Sequence, residues 1–276
     1  MLEIEPSGQA CGASVHGLDL SQPLDTATLA EVRKAWLEHH VLAFPGQTLD
    51  TDGLEAFAAQ FGTLAEDPFF NPLPGRRYTA AVRREAHDTN AIFAEYWHSD
   101  WSFMERPPQG TVLYALDIPP VGGDTLFSNQ HAAFEAMPPD MRERFEGLRA
   151  VHSPALGYAP DGAYGTPEKM GSMDIRPSDE ARDMAHTHPL APPHRETGKR
   201  AILSGISYIV GFEGMSREEA YPLIFELNEW QSRDEFLYRH RWEEGMLVMW
   251  DNRSVVHRAT GGYEGHRREL HRVTIY

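Results

Sequence analysis

The sequence predicts an α+β protein built on an antiparallel, barrel-like sheet. Helical periodicity is concentrated near the start and in one later stretch, while short apolar, strand-like runs fill the middle and end. No Gly-x-Gly-x-x-Gly or phosphate-loop pattern marks nucleotide-binding βαβ units. With 276 residues, 41% of them hydrophobic, the chain can bury a sizeable core and is expected to form one domain over 1–276.

Taken in order, residues 10–20 mix Gly, Ala and Val and suit a short strand and a turn. From Asp25 to His40, Leu29, Val32 and Trp36 fall at helical spacing behind an aspartate that can cap the first turn. Val41 to Phe44 reads as a strand closed by Pro45-Gly46. Leu54, Phe57, Ala58 and Phe61 follow at i, i+3, i+4 and i+7, a second amphipathic helix ended by Gly62. Asp67 to Gly75, rich in Pro and Phe, reads as a loop, and Tyr78 to Arg83 and Thr111 to Leu116 as strands. Gly122-Gly123 breaks the chain before Asp124 to Phe127, and Pro138 to Leu148 reads as a helix. Residues 155–183 contain Gly157, Gly162, Gly165 and Gly171 without clear periodicity; a long irregular segment in a compact domain is usually functional or disordered, so a mobile lid is expected. Ser216 and Glu219 form a capping box for a third helix, with Pro222 in its early turns. Strands are expected at 236–242, 246–250, 254–259 and 269–276.

The net charge of −16 argues against nucleic acid and anionic membrane surfaces as partners, yet permits a small anionic ligand where arginines dominate a pocket. Cys11 is the only cysteine, so no intrachain disulfide forms, a reducing compartment is permitted, and nothing nearby would activate the thiol. The N-terminus lacks the basic and apolar regions of a signal peptide, and the uncharged run from Ala201 to Phe212 is too short to span a bilayer. A soluble cytoplasmic protein is the expectation.

The chemistry begins at Tyr96-Trp97-His98-Ser99-Asp100-Trp101-Ser102-Phe103. On an extended segment, His98 and Asp100 point to one side and can occupy neighbouring positions on one metal ion. One more histidine completes a two-His, one-carboxylate facial set with open positions for Fe(II) and oxygen chemistry. Alone, such a pair arises easily by chance. His186-Thr187-His188 is a rival, but Pro189 follows and no carboxylate stands at useful spacing. His194-Arg195-Glu196 reads as part of a solvated loop, and His16, His39, His40, His152 and His240 as surface or satisfied core residues.

Further motifs accompany the pair: Gly122-Gly123-Asp124-Thr125, the run from Met249 to Arg258, and Gly265-His266-Arg267-Arg268-Glu269-Leu270-His271-Arg272. With Trp97-His98-Ser99-Asp100, and in this order, they resemble the TauD/TfdA family of Fe(II)- and 2-oxoglutarate-dependent dioxygenases over most of the chain. The resemblance implies a double-stranded β-helix (jelly-roll, cupin-like) core with flanking helices, and often a dimer or tetramer. It makes His98, Asp100 and His257 the iron ligands, and Thr125 and Arg268 the 2-oxoglutarate contacts. Arg268 stands at the spacing after His257 that the family pattern requires. Arg272 falls where related enzymes contact an anionic substrate group.

The chemistry of these residue types agrees. Two neutral imidazoles and one carboxylate leave a singly positive iron centre with positions for the keto-acid end of 2-oxoglutarate and for O2. A guanidinium suits the distal carboxylate, which it can grip bidentately, and a threonine hydroxyl adds a neutral donor. The implied reaction is oxidative decarboxylation of 2-oxoglutarate to succinate and CO2, coupled to hydroxylation of a small substrate, with fragmentation where the attacked carbon bears a heteroatom. Asp100 favours hydroxylation, since related halogenases lack that carboxylate. Where taurine-specific enzymes place a histidine and a tyrosine, this chain has Asp67 and Phe70, and Ala94-Glu95 replace an expected asparagine; taurine is therefore not the expected substrate. Two substrate readings stay open: a small anion (sulfonate, sulfate ester or aryloxy acid) on Arg272 between Phe69, Phe70 and Phe103, or an amine-bearing metabolite met by Asp67 or Glu95. A non-catalytic metal-binding barrel is the remaining alternative.

Overall fold

The computed structural model describes residues 2–276; Met1, where the N-terminal reading began, lies outside them. The chain runs through β1 (Glu3–Pro6), β2 (Ala13–His16), α1 (Thr26–His39), β3 (Val41–Phe44), α2 (Thr51–Ala59), β4 (Leu64–Ala65), β5 (Ala80–Arg84) and β6 (Gly110–Asp117). It continues with β7 (Thr125–Asn129), α3 (Gln130–Glu135), α4 (Pro139–Phe145), β8 (Arg149–His152), the one-turn helices α5 (Ala155–Tyr158), α6 (Pro167–Met170) and α7 (Glu180–Asp183), and β9 (His186–Pro189). The last part is β10 (Ile209–Phe212), α8 (Arg217–Gln231), a 3-10 turn at Asp234–Phe236, β11 (Leu237–His240), β12 (Leu247–Asp251), β13 (Val255–Ala259) and β14 (Arg268–Ile275).

The largest sheet has the order β1-β2-β3-β12-β6-β14-β4, with β5 also on β14, and a smaller sheet has the order β11-β7-β13. Every pairing in both is antiparallel except β2 with β3. The two sheets share one apolar core, in which Val41, Leu113, Val248 and Leu270 of the larger meet Phe127, Tyr238 and Val255 of the smaller. Such facing antiparallel sheets are the core expected of a jelly roll. Helices α1 and α2 cover the other face of the large sheet through Trp36, Leu54 and Phe57. A third sheet, β10-β8-β9, packs with α3, α4 and α8 around Phe145, Ile209 and Leu227. Among the described residues, no helix is long and apolar enough to cross a membrane.

Local sequence chemistry accounts for the helix ends. Asp25 and Asp50 cap α1 and α2 by accepting from Thr28 N–H and Gly53 N–H. At α8 both hydrogen bonds of the Ser216–Glu219 capping box form, and the helix continues through Pro222, which at its sixth position forgoes one i→i−4 hydrogen bond. Several expectations need correction. The expected strand at 236–242 begins as a 3-10 turn and is extended only over Leu237–His240. Helix α4 stops at Phe145, short of Leu148. Residues 155–183 are not wholly irregular, since α5, α6 and α7 lie within them. Nor are His98 and Asp100 on a strand: His98 makes an isolated bridge and Asp100 enters a turn with Trp101 at φ 49°.

Candidate active site

Two distant parts of the chain meet through backbone hydrogen bonds. His98 N–H donates to His257 O at 3.0 Å and His257 N–H to His98 O at 2.8 Å, an antiparallel bridge at the edge of β13. The imidazole rings consequently lie with centroids 4.2 Å apart and planes tilted by 46°. The turn after Ser99 brings Asp100 Oδ1 to 3.6 Å from His98 Nε2 and 3.9 Å from His257 Nε2. One ligand atom from each of these buried residues lies within 4.8 Å of the others, the grouping needed to hold one metal ion.

Each donor is held from behind. His98 Nδ1 lies 2.9 Å from Tyr96 O. A carbonyl can only accept, so Nδ1 carries the proton and Nε2 keeps its lone pair for the shared point. Asp100 Oδ2 accepts from the Thr111 hydroxyl at 2.6 Å, and that hydroxyl accepts from Asn252 Nδ2 at 2.9 Å. Trp250 Nε1 completes the chain by donating to Asn252 Oδ1 at 2.9 Å. His257 is wedged between Trp250 and Phe127, with centroids 4.7 and 5.7 Å away. Burial, reinforced by the His98 ring, pushes the His257 imidazole down to about 3, and burial lowers His98 as well. Burial pushes Asp100 up, but His257, Arg272, His98 and Thr111 together outweigh it and keep its carboxyl below the ordinary range. Neutral imidazoles beside an ionised carboxylate are the donor set that a divalent cation requires.

Strand β14 supplies two arginines, Arg268 and Arg272, which the alternation of side chains along a strand turns to one side. Both are buried, and their surroundings differ. Arg268 has no carboxylate within salt-bridge reach among the described residues, and its Nε is a buried donor without a partner. Asp124, the acid that acts on it from a distance, is paired with Arg239 at 2.9 Å. Trp242 and Tyr263 rings flank its guanidinium at 5.8 and 6.0 Å. Gly123 must be glycine here, because it has φ 69° and a Cβ would approach Arg268 Nε to 3.2 Å. Thr125 Oγ1 accepts from Trp242 Nε1 at 3.0 Å, leaving its own O–H free to donate. Arg272, by contrast, is paired with Asp67 and lies over the Phe70 ring at 4.6 Å.

The donor triad stands between two cavities. One reaches from His98, Asp100 and His257 to Thr125 and Arg268. The other shares His98, Asp100 and Arg272 and is walled by Phe93, Trp101, Tyr158, Tyr164, Tyr208 and Ile206. The structure thus gathers His98, Asp100, His257, Thr125, Arg268 and Arg272 around the first cavity, and His98, Asp100 and Arg272 border the second as well. It does not bring the expected apolar walls there: Phe70 lies beneath Arg272, and Phe103 is fully buried behind Tyr208. Asp67 is turned away from both cavities, with Oδ1 accepting from Phe69 and Phe70 N–H at 2.8 Å and Oδ2 on Arg272. Glu95 lines neither cavity. The rival pair is occupied elsewhere, His186 on Phe103 O and His188 on Met104 O. His194 is not in a solvated loop; it is buried, with Nε2 donating to Asp251 at 3.0 Å. Thr111, Asn252 and the tyrosines of the second cavity had no local sequence signal that would single them out.

The chain matches the family model described as "Taurine catabolism dioxygenase TauD, TfdA family" over residues 3–274. It is 34% identical over 278 residues to an alpha-ketoglutarate-dependent (2-oxoglutarate-dependent) 2,4-dichlorophenoxyacetate dioxygenase of Cupriavidus pinatubonensis, covering 95% of this chain and 93% of that protein. An alpha-ketoglutarate-dependent sulfate ester dioxygenase of Pseudomonas putida is 31% identical over 278 residues, covering 99% of this chain and 89% of the relative. Among solved structures, a taurine dioxygenase from Burkholderia xenovorans superposes with a TM-score of 0.80 at 29% identity, covering 99% of this chain and 90% of the other.

Proposed function

Because the chain belongs to the TauD/TfdA family and is an Fe(II)- and 2-oxoglutarate-dependent dioxygenase, we propose that His98, Asp100 and His257 hold the iron, Arg268 and Thr125 the distal carboxylate of 2-oxoglutarate, and Arg272 the anionic group of a small organic substrate. The observation that carries this reading is the orphaned Arg268 guanidinium, facing the donor triad across one cavity. A buried cation without a counter-ion is costly, and a carboxylate ligand relieves that cost. Bound at the triad, iron supplies the oxidative decarboxylation of 2-oxoglutarate with O2 to succinate and CO2 and the coupled substrate hydroxylation. Thr111 and Asn252 keep Asp100 Oδ1 turned toward the metal position, and the Tyr96 carbonyl fixes the His98 tautomer.

The second cavity favours an anion that carries a flat apolar group, because Phe93, Tyr96, Trp101, Tyr158, Tyr164 and Tyr208 line it and Arg272 is its guanidinium. An aryloxy acid fits this description best, with sulfate esters and sulfonates as the other anions of the same reading; fragmentation would follow attack on a carbon bearing the heteroatom. Tyr158 and Tyr164 belong to 155–183, which we read as a lid that closes on this ligand within a single domain over 1–276. A cytoplasmic location goes with this reading, and neither nucleic acid nor a membrane is a partner in it. A homodimer or homotetramer is part of the same proposal.

Two measurements test it. Anaerobic addition of Fe(II) and then 2-oxoglutarate should give a visible charge-transfer band, and folded protein without that band would reject the ligand assignment. A panel of aryloxy acids, sulfate esters, sulfonates and amino acids, read by succinate formation, should respond most strongly to the aryl-bearing anions. Preference for an amine-bearing compound would reject the anion reading.

A further inference from the structure

The two cavities raise a selectivity problem. Arg272 of β14 lines both and Arg268 of β14 only the first, where Arg83 is paired with Glu269 and Arg84 is bonded to the carbonyls of Asp88, Asn90 and Ala91; the two ligands of the proposed reaction both carry anionic groups. The cosubstrate is a dianion, and the pocket beside Arg272 is large enough to admit it. What separates the arginines is Asp67, bonded to Arg272 and absent from the surroundings of Arg268. Asp67 is held firmly: Oδ1 takes two backbone N–H groups, Oδ2 takes the guanidinium, and its side chain is only 8% exposed. Since Arg272 lines both cavities and Asp67 neither, the carboxylate stands behind the guanidinium as a fixed counter-charge.

We propose that Asp67 acts through Arg272 as a positioning residue that sets which carboxylate-bearing ligand each cavity accepts. It rests on the site assignment above. With Asp67 in place, the wall of the aromatic cavity is a neutral pair presenting N–H donors. It can hydrogen-bond a singly charged anion whose remainder is bound by aromatic walls, while offering little net charge to a dianion. Arg268, uncompensated, attracts the dianion strongly. The difference in local charge, neutral at the Arg272–Asp67 pair and positive at Arg268, therefore sorts the ligands: 2-oxoglutarate to Arg268, substrate to Arg272. Neighbouring unit charges in a buried site interact strongly enough for one carboxylate to shift affinity by tenfold or more.

The test is ligand stoichiometry by anaerobic titration calorimetry on the Fe(II)-loaded full chain, with 2-oxoglutarate alone as the probe. The parent should bind one equivalent. Asp67→Asn, which keeps an acceptor for the Phe69 and Phe70 N–H groups, should bind a second at least about tenfold more tightly than any second event in the parent. The second equivalent should vanish when Arg272→Gln is added. In a parallel competition, 2-oxoglutarate should displace phenoxyacetate from Asp67→Asn and not from the parent. Asp67→Ser removes the charge while retaining a turn acceptor, and should behave alike if Asn misfolds. One equivalent in both folded variants, with no displacement, would overturn the role of Asp67. Loss of the first equivalent in the parent would instead overturn the site assignment.

Discussion

Arg268 and Arg272 stand four residues apart on one strand, and their surroundings pull them in opposite directions. Burial beside Tyr263 and Trp242 leaves Arg268 with no bonded acid, and its guanidinium is held below its ordinary range mainly by desolvation. Arg272 is as deeply buried, but Asp67 in contact and Asp100 nearby more than offset the burial and raise it above that range. One arginine carries charge that a ligand can satisfy; the other carries charge that the protein has already satisfied. Residue type and strand face are the same, so the difference comes from what packs against each. An arginine in a pocket is therefore not by itself a measure of how strongly that pocket attracts an anion.

The largest expected effect comes from removing what the two sides share. Asp100→Ala should reduce substrate-coupled succinate formation to background, since it deletes a donor of the triad and frees the Thr111 hydroxyl. Normal turnover would show that the two cavities do not meet at a metal. Next in size is a pair of substitutions with opposite effects on folding. Arg272→Met should destabilise the protein by about 3–5 kcal/mol in urea unfolding, because it leaves Asp67 buried and unpaired. Arg268→Met should raise stability, because it removes a desolvated charge, while the KM for 2-oxoglutarate rises about tenfold to a hundredfold. If both variants shift stability in the same direction, the contrast between the arginines is wrong. Thr125→Val is the milder change on the Arg268 side: loss of one neutral donor should raise the same KM by about tenfold or less and leave substrate affinity unaltered.

Much of this was legible because its causes are local. The caps Asp25 and Ser216 and the apolar spacing of α1 and α2 depend on neighbours within a turn or two, and both helices formed, although α2 stops at Ala59, ahead of the expected end at Gly62. The family motifs named the triad and both arginines, but the geometry that unites them is not local. His98 and Asp100 share a side because a bridge to His257 and a turn at Trp101 place them there, not because of strand alternation. The fate of Asp67 depends on an arginine 205 positions away, and that of His194 on Asp251, 57 positions away. Phe103 read as a pocket wall by its nearness to the motif, whereas packing against Phe69 and Tyr208 turned it inward. The aromatic cavity was out of reach of periodicity altogether, because its tyrosines come from separate loops and short helices.

The smallest effect sharpens the contrast most specifically, through a histidine on the Arg268 side. His240 is buried, with Nδ1 on the Tyr238 hydroxyl at 2.8 Å and Nε2 without a partner. Burial first, and the Arg268 charge second, push its imidazole down to about 3. Unfolded, it titrates near 6.5, so between roughly pH 6.5 and 3 the unfolded chain binds a proton that the folded chain refuses. Stability contributed by this group is therefore intact above that window and declines as pH falls through it. His40 and His152, depressed by burial to about 3, act in the same direction, so the parent should lose unfolding free energy steadily from pH 7 to 5. In Arg268→Met the repulsive cation is gone, His240 accepts its proton more readily in the folded state, and the decline should be shallower. Urea unfolding at pH 7, 6 and 5 measures both slopes. Equal slopes would mean that burial alone sets His240, and that the uncompensated charge of Arg268 does not reach across to β11.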